Sequence, residues 1–488
     1  MLNPPPEVLT CHRNSSVHWP RIAWLKVMVM LATCLSGGAQ TLQASAVSRE
    51  PPNIVFIMAD DLGWTDLGCT GSRYYETPNI DRLAEQGLKF SSYYVCQNCA
   101  PTRAALMSGQ YAPRTGIYTV ESLERGHEAD RKLVPPLNKT QLSLEKTTVA
   151  QMLQEAGYAT GMFGKWHLGK GAEYHPLQRG FDEAIVASRG HFNFTTIPPT
   201  KVTPGQYLAD YLTDRAVEFI EARRDERFFL YLPHFAVHTP IQAKPELIAR
   251  FKDKAPQGGH NNPVYAAMIQ SVDESVGRIM EQLDKLGLSD NTLVVFTSDN
   301  GGLGGYEVPG TDQTKGITDN APLRGGKGTL YEGGVRVPLI VRWPTQIEAG
   351  ATCDEPVVHV DFYPTFLDIA ESKTATDFPL DGVSMLPLFR SPTSSLDREA
   401  IYFHFPGYLQ SYIEEALWRT TPVSTIRAGD WKLMEFLEDG HLELYNLAQD
   451  LGERHNLADE KPQQARQLHK QIVQWRNEIG AAMPRPKQ

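Results

Sequence analysis

The sequence predicts an α/β fold: a large mixed sheet flanked by helices, followed by a smaller C-terminal antiparallel sheet plus helix. Three observations carry this expectation. Continuous apolar runs at 53–58 and 292–297 read as strands buried on both faces, the pattern of a parallel sheet. Helix-patterned segments at 80–86, 209–224 and 268–286 separate such runs, as layered α/β architecture requires. Beyond Asp381-Gly382 the texture changes to short strands at 400–404, 424–428, 431–436 and 442–447, closed by a charged helix at 461–479. The expected division is a main domain over 50–385 and a small α+β subdomain over 386–488.

The 488 residues, 41% hydrophobic and 21% charged, describe an ordinary globule large enough to bury a sizeable core. A formal charge of −10 argues against a nucleic-acid partner held by phosphate neutralisation. Six cysteines in this length do not make a disulfide scaffold. At the N-terminus Arg13, Arg21 and Lys26 precede an apolar run at 27–35, and Ala44-Ser45-Ala46 follows. That order reads as a secretory signal peptide over 1–46, so a secreted or periplasmic protein is expected. The run is too short for the ~20 residues of a transmembrane helix. Cys34 follows Leu31-Ala32-Thr33, a poor lipoprotein box, and anchoring there is not expected.

The first strand runs directly into Asp60 and Asp61, and the strand at 292–297 into Asp299 and Asn300. Adjacent carboxylates repel unless a cation neutralises them, and ligands in open α/β sheets collect at the carboxyl ends of strands. Four hard oxygen donors without a neighbouring Cys or His suit Ca²⁺ or Mg²⁺ better than Zn²⁺. Between them a strand at 158–163 delivers Lys165 and His167, whose spacing of two places both on one face of an extended segment. The run at 227–232 leads to His234 and His238. Lys327 lies on the glycine-rich stretch 322–329, where backbone can approach an anion closely. It is not a nucleotide P-loop, because Gly328 follows the lysine and Ala321 stands where the first glycine should.

The stretch 96–111 places Pro101 in the first turn of a helix, with Cys99 at its N-terminus and Arg103 one turn on. The helix dipole there favours a thiolate or a bound oxyanion. Alone, the stretch also fits a buried structural cysteine, a disulfide, or a Cys96-x-x-Cys99 dithiol.

With its C-x-P-x-R order, this stretch resembles the signature of the type I sulfatases of the alkaline-phosphatase-like superfamily. The block Gly157-Tyr158 through Gly164-Lys165-Trp166-His167-Leu168-Gly169 is similar to their second signature, and His238-Thr239-Pro240 matches their H-x-P. Thr102 stands where serine is commoner. The resemblance implies that Cys99 is oxidised to formylglycine by a maturation enzyme and that its hydrate is the nucleophile. It implies one calcium ion held by Asp60, Asp61, Asp299 and Asn300, with Cys99, once modified, as a further metal residue. Arg103 would orient the hydrated aldehyde, while Lys165, His238 and Lys327 bind sulfate oxygens. His238 or Lys327 would protonate the leaving alcohol, and His167 would take the proton that expels sulfate. The implied activity is hydrolysis of a sulfate ester on a carbohydrate or aryl alcohol. The alternatives are a phosphodiesterase or phosphonate monoester hydrolase of the same superfamily, or a non-catalytic glycan-binding protein if Cys99 is not converted. Substrate choice is expected in loops such as 180–200 and 404–422.

Overall fold

The central strand, Asn53–Ala59, is wholly buried and pairs in parallel with Phe228–Pro233 on one side and Thr292–Ser298 on the other. These belong to a nine-stranded sheet in the computed structural model, which describes residues 51–487 apart from 189, 312, 373–377 and 412–417. The order across the sheet is Ala351–Cys353, Leu88–Phe90, Leu339–Arg342, Thr292–Ser298, Asn53–Ala59, Phe228–Pro233, Ala159–Gly164, Glu183–Ala187 and Thr196–Ile197. The five strands from Thr292–Ser298 to Glu183–Ala187 run parallel. Leu339–Arg342 and Thr196–Ile197 run antiparallel to their neighbours, which makes the sheet mixed.

Side chains alternate across the central strand into two cores. Ile54, Phe56 and Met58 pack with the helices Cys99–Ser108 and Phe362–Ile369. Val55 and Ile57 pack with Pro78–Glu85, Leu208–Ala222 and Pro263–Lys285 on the opposite face. Burying each such side chain contributes about 1.5–3 kcal/mol. Because both faces are apolar, alternation alone does not fix the register. Polar ends do: Asn53 donates to the Thr292 hydroxyl and accepts from the Phe228 N–H, while at the other end Asp60 N–H donates to Ala236 O and Asp299 N–H to Ala59 O.

The helix expected at 268–286 begins earlier, at Pro263, because Asn262 caps it by accepting the N–H groups of Val264 and Tyr265. Near the C-terminus Ile401–Phe405, Val423–Ala428, Trp431–Phe436 and Leu442–Asn446 form an antiparallel sheet, as expected. One face takes the helix Pro462–Glu478 through Ile426, Leu433 and Leu444. The other packs Phe403, Met434 and Tyr445 against Tyr94, Leu330 and Val335 of the main sheet's surroundings. The expected signal peptide at 1–46 and the Cys34 box lie outside the described residues. No helix among the described residues is long and apolar enough to cross a membrane.

Candidate active site

Both oxygen-donor pairs fall where strand becomes loop, and the loops are tied to each other. The Ser298 hydroxyl accepts the Leu62 N–H at 3.0 Å and donates to Asn300 O at 2.9 Å. Asp61 adopts a left-handed conformation, φ 65°, which Asp tolerates better than most residues. Successive carboxylates thus serve one site. Asp60 meets Lys165 and Arg103, while Asp61 meets Lys327 at 2.8 Å and Asn300 at 2.8 Å. Gly301 allows the second turn, since a Cβ there would lie 1.9 Å from Gly333 O.

The helix Cys99–Ser108 begins at Cys99 and is buried along its whole length. Thr102, the position where serine is commoner, accepts the Cys96 N–H at 3.0 Å through its hydroxyl and buries the extra methyl. Arg103 is fully buried. Its Nε and Nη2 donate to Asp299 Oδ2 at 3.0 and 2.7 Å, and Nη1 donates to Lys165 O at 2.7 Å. The guanidinium therefore fixes the acids and the lysine loop around residue 99.

Lys165 and His167 do meet at the site, but by a different route from the extended segment expected. The strand ends at Gly164, and His167 is left-handed, φ 64°. That turn sends Lys165 Nζ to Asp60 and His167 Nδ1 to 3.5 Å from Cys99 Sγ. His238 Nδ1 lies 2.6 Å from Thr239 O, and a carbonyl only accepts, so Nδ1 carries the proton. Nε2 then faces the acids, 3.7 Å from Asp61 Oδ2. His234 is wholly buried against Ser275 Oγ at 3.0 Å and is structural.

The residues fit a hard divalent cation. Asp60 Oδ1 and Asn300 Oδ1 are buried with no hydrogen-bond partner among the described residues, an expensive condition for any oxygen. Ligand atoms of Asp60, Cys99 and Asp299 lie within 4.8 Å of one another, as do those of Asp60, Asp61 and His238. Burial, then the charge of Asp60, pushes the Asp299 carboxyl up to about 7. Burial pulls Asp60 the same way, but Lys165, His238, Arg103 and Lys327 overcome it and hold that carboxyl below its ordinary range. Burial opposes the Lys165 ammonium, and Asp60, then Cys99, outweigh it and raise its pKa. Burial, then Lys165 and Arg103, lowers His167 to about 3, so the ring is neutral at pH 7.

Cys69, Cys96, Cys99 and Cys353 are free. Burial drives the Cys96 thiol up to about 12, which removes the thiolate a Cys96–Cys99 redox pair would need. Several supporting residues escaped the sequence reading. Tyr265 places its hydroxyl 3.1 Å from Asp61 O and 2.7 Å from Asp66 Oδ2, and nothing local in the helix marks it. Phe235 lies under the Lys165 ammonium, 5.7 Å from centroid to Nζ. Ser298 carried a signal, a hydroxyl just before an Asp-Asn-Gly turn.

Acids, fixed cations and imidazoles converge on a cysteine at a helix N-terminus, with groups that could hold a metal ion beside it. Similarity to known proteins identifies the family. The Sulfatase family matches residues 52–372, and N-sulphoglucosamine sulphohydrolase, C-terminal, matches 326–478. A protein named Sulfatase from Formosa agariphila is 36% identical, covering 90% of each chain. N-acetylgalactosamine-6-sulfatase from Mus musculus is 31% identical over 76% of this chain and 74% of its own. The crystal structure of Ps i-CgsB in complex with k-i-k-neocarrahexaose superposes with a TM-score of 0.72 at 31% identity, covering 87% of this chain and 93% of that one. This chain belongs to the sulfatase family and is a sulfuric ester hydrolase.

Proposed function

We propose that this protein is a secreted sulfatase that removes sulfate from a carbohydrate, with formylglycine made from Cys99 as nucleophile and calcium as its metal. The observation that carries the reading is the meeting of Cys99 with Asp60 and Asp299 within 4.8 Å, beside orphaned oxygens on Asp60 and Asn300. Oxidised and hydrated, residue 99 supplies a hydroxyl nucleophile; Asp60, Asp61, Asp299 and Asn300 would hold the calcium, which would supply Lewis-acid polarisation of the sulfate. Arg103 keeps the helix N-terminus and the acids in register. Lys165 and Lys327 bind sulfate oxygens and spread the charge that develops there. His238, with Nδ1–H held by Thr239 O, turns Nε2 toward the site, and the doubly protonated ring gives its Nε2 proton to the leaving alcohol. His167, whose Nδ1 lies beside residue 99, takes the proton that releases sulfate.

Relatives named for N-acetylgalactosamine sulfate and a neighbour bound to neocarrahexaose support a saccharide substrate. A groove of about 840 Å³ starts at Trp166 and His167 and continues past His175, Leu177 and Ile197, enough for a sugar unit or more. Secretion rests on the leader at 1–46, and the domain division at 385/386 on the change from mixed to antiparallel sheet.

Kinetics on defined sulfated saccharides test the substrate class, and the two histidines test the chemistry. His167→Ala should retain protein-bound sulfate in the intact mass after brief exposure to substrate, because removing the second-step base traps the first-step product. His238→Ala should slow the first step, more for sugar sulfates than for an activated aryl sulfate. Bound sulfate in His238→Ala and none in His167→Ala would reverse the assignment. Hydrolysis of aryl sulfates with every sulfated saccharide refused would overturn the carbohydrate reading.

A further inference from the structure

Lys327 is carried on a loop whose two shoulders are gripped by the C-terminal region. Before the lysine, Arg324 Nη1 donates to Glu453 O at 3.3 Å and lies 3.2 Å from the Tyr445 hydroxyl. After it, the Glu332 N–H donates to Glu453 Oε2 at 2.7 Å. Glu453 thus holds the loop from both sides, its carbonyl on one shoulder and its carboxylate on the other. It does so in a left-handed conformation, φ 53°, that costs a non-glycine residue energy. Gly452 beside it runs so close that a Cβ would lie 3.0 Å from Pro322 O.

Behind this grip sits a buried ion cluster. Lys432, 1% exposed, lies 3.0 Å from Glu332 Oε1 and 2.8 Å from Glu453 Oε1. Arg336 and the Tyr94 hydroxyl cover Glu332 Oε2 at 3.3 and 2.7 Å. Buried ion clusters seldom stabilise a fold more than apolar packing of the same volume would. What this one does supply is a single placement of the loop. At the tip, the Lys327 carbonyl accepts from Arg419 Nη1 at 3.2 Å and the Tyr306 hydroxyl at 2.9 Å. The next N–H, of Gly328, donates to Gln97 O at 2.8 Å, two residues from Cys99.

We propose that Glu453, backed by Lys432, is a positioning residue for the reaction: it clamps both shoulders of the 322–332 loop and thereby sets the Lys327 ammonium against Asp61 and the sulfate site. The proposal rests on the role given to Lys327. A lysine ends in a flexible four-carbon stem, so its ammonium is only as well placed as its backbone, and misplacement by about 1 Å costs up to about 10²-fold in rate.

A double-mutant cycle on matured, metal-loaded enzyme tests it, with para-nitrophenyl sulfate as the probe. Lys327→Ala should lower kcat about 10²-fold. Glu453→Ala, which removes the carboxylate that accepts the Glu332 N–H and meets Lys432, should lower kcat about tenfold with KM within about twofold. In the Lys327→Ala background the same Glu453→Ala change should cost less than about twofold, because the group it positions is gone. Equal losses in both backgrounds would mark Glu453 as merely structural and overturn the proposal. Should Glu453→Ala fail to fold, Arg324→Met, at a side chain that is 22% exposed, replaces it in the same cycle: a loss confined to the Lys327 background supports the clamp, and equal losses overturn it. A Lys327→Ala enzyme of full activity would contradict the reading of Lys327 itself, and the proposal with it, through a result distinct from additivity.

Discussion

Two buried clusters of acids and bases lie in this molecule, and they are finished differently. Around Lys432 every carboxylate oxygen has a cation or a donor against it: Glu332 meets Lys432, Tyr94 and Arg336, while Glu453 Oε2 takes the Glu332 N–H and Oε1, though without a hydrogen bond, lies 2.8 Å from the Lys432 ammonium. At the strand ends the charges are also paired, through Arg103, Lys165 and Lys327, yet Asp60 Oδ1 and Asn300 Oδ1 remain without a hydrogen bond among the described residues. A buried oxygen left unsatisfied costs about 1–3 kcal/mol, so two in one place need a compensating ligand. Burial and ion pairing alone do not tell architecture from chemistry. The unspent acceptors do.

The largest expected effect separates the clusters by metal. Chelation should abolish turnover, and Ca²⁺ should restore it while Zn²⁺ alone should not; saturating Ca²⁺ at about 100 times its Kd should add about 2.7 kcal/mol of stability. Asn300→Ala should lower activity by about 10²-fold or more and remove that calcium-dependent stabilisation, read by thermal melts with and without the ion. A melt insensitive to calcium in the unaltered protein would erase the distinction drawn between the clusters.

Lys432→Met breaks the closed cluster instead. Leaving Glu332 and Glu453 with one cation fewer should destabilise the protein by about 3–5 kcal/mol in urea unfolding, with calcium affinity by titration calorimetry unchanged. Weaker calcium binding with unchanged stability would mean that the two clusters are one system.

The smallest effect concerns two buried histidines. His404 is closed, with Nδ1 2.8 Å from Ser424 Oγ and Nε2 2.9 Å from Ala482 O, whereas His167 faces residue 99. Burial lowers His404 to about 4. Its folded pKa lies below the unfolded ~6.5, so its contribution is fully present above pH ~6.5 and is lost as pH falls through about 4. Over that window it amounts to about 3 kcal/mol. His404→Gln should therefore flatten the acid limb of stability against pH between about 6.5 and 4, and an unchanged limb would contradict burial of a neutral ring.

Much of the open cluster could be read from the chain, and little of the closed one. Uninterrupted apolar runs ending in Asp60-Asp61 and Asp299-Asn300 carry both strand and ligand in one local pattern. The left-handed turns at Asp61 and His167 could not be read, because non-glycine residues in that conformation leave no periodic trace. His167 reaches Cys99 through such a turn and not along an extended segment. Lys432 and Glu453 look in sequence like solvated charges on a strand and a turn. Their burial depends on Glu332, which is 100 residues from Lys432 and 121 from Glu453, and no short-range spacing encodes that contact.

The proposed chemistry turns on residue 99. Mass spectrometry of the peptide spanning Phe90–Arg103, taken from enzyme of measured specific activity, should show the aldehyde in place of the thiol, with activity proportional to the converted fraction across preparations. Full sulfatase activity in a preparation whose Cys99 is entirely an unmodified thiol would contradict it.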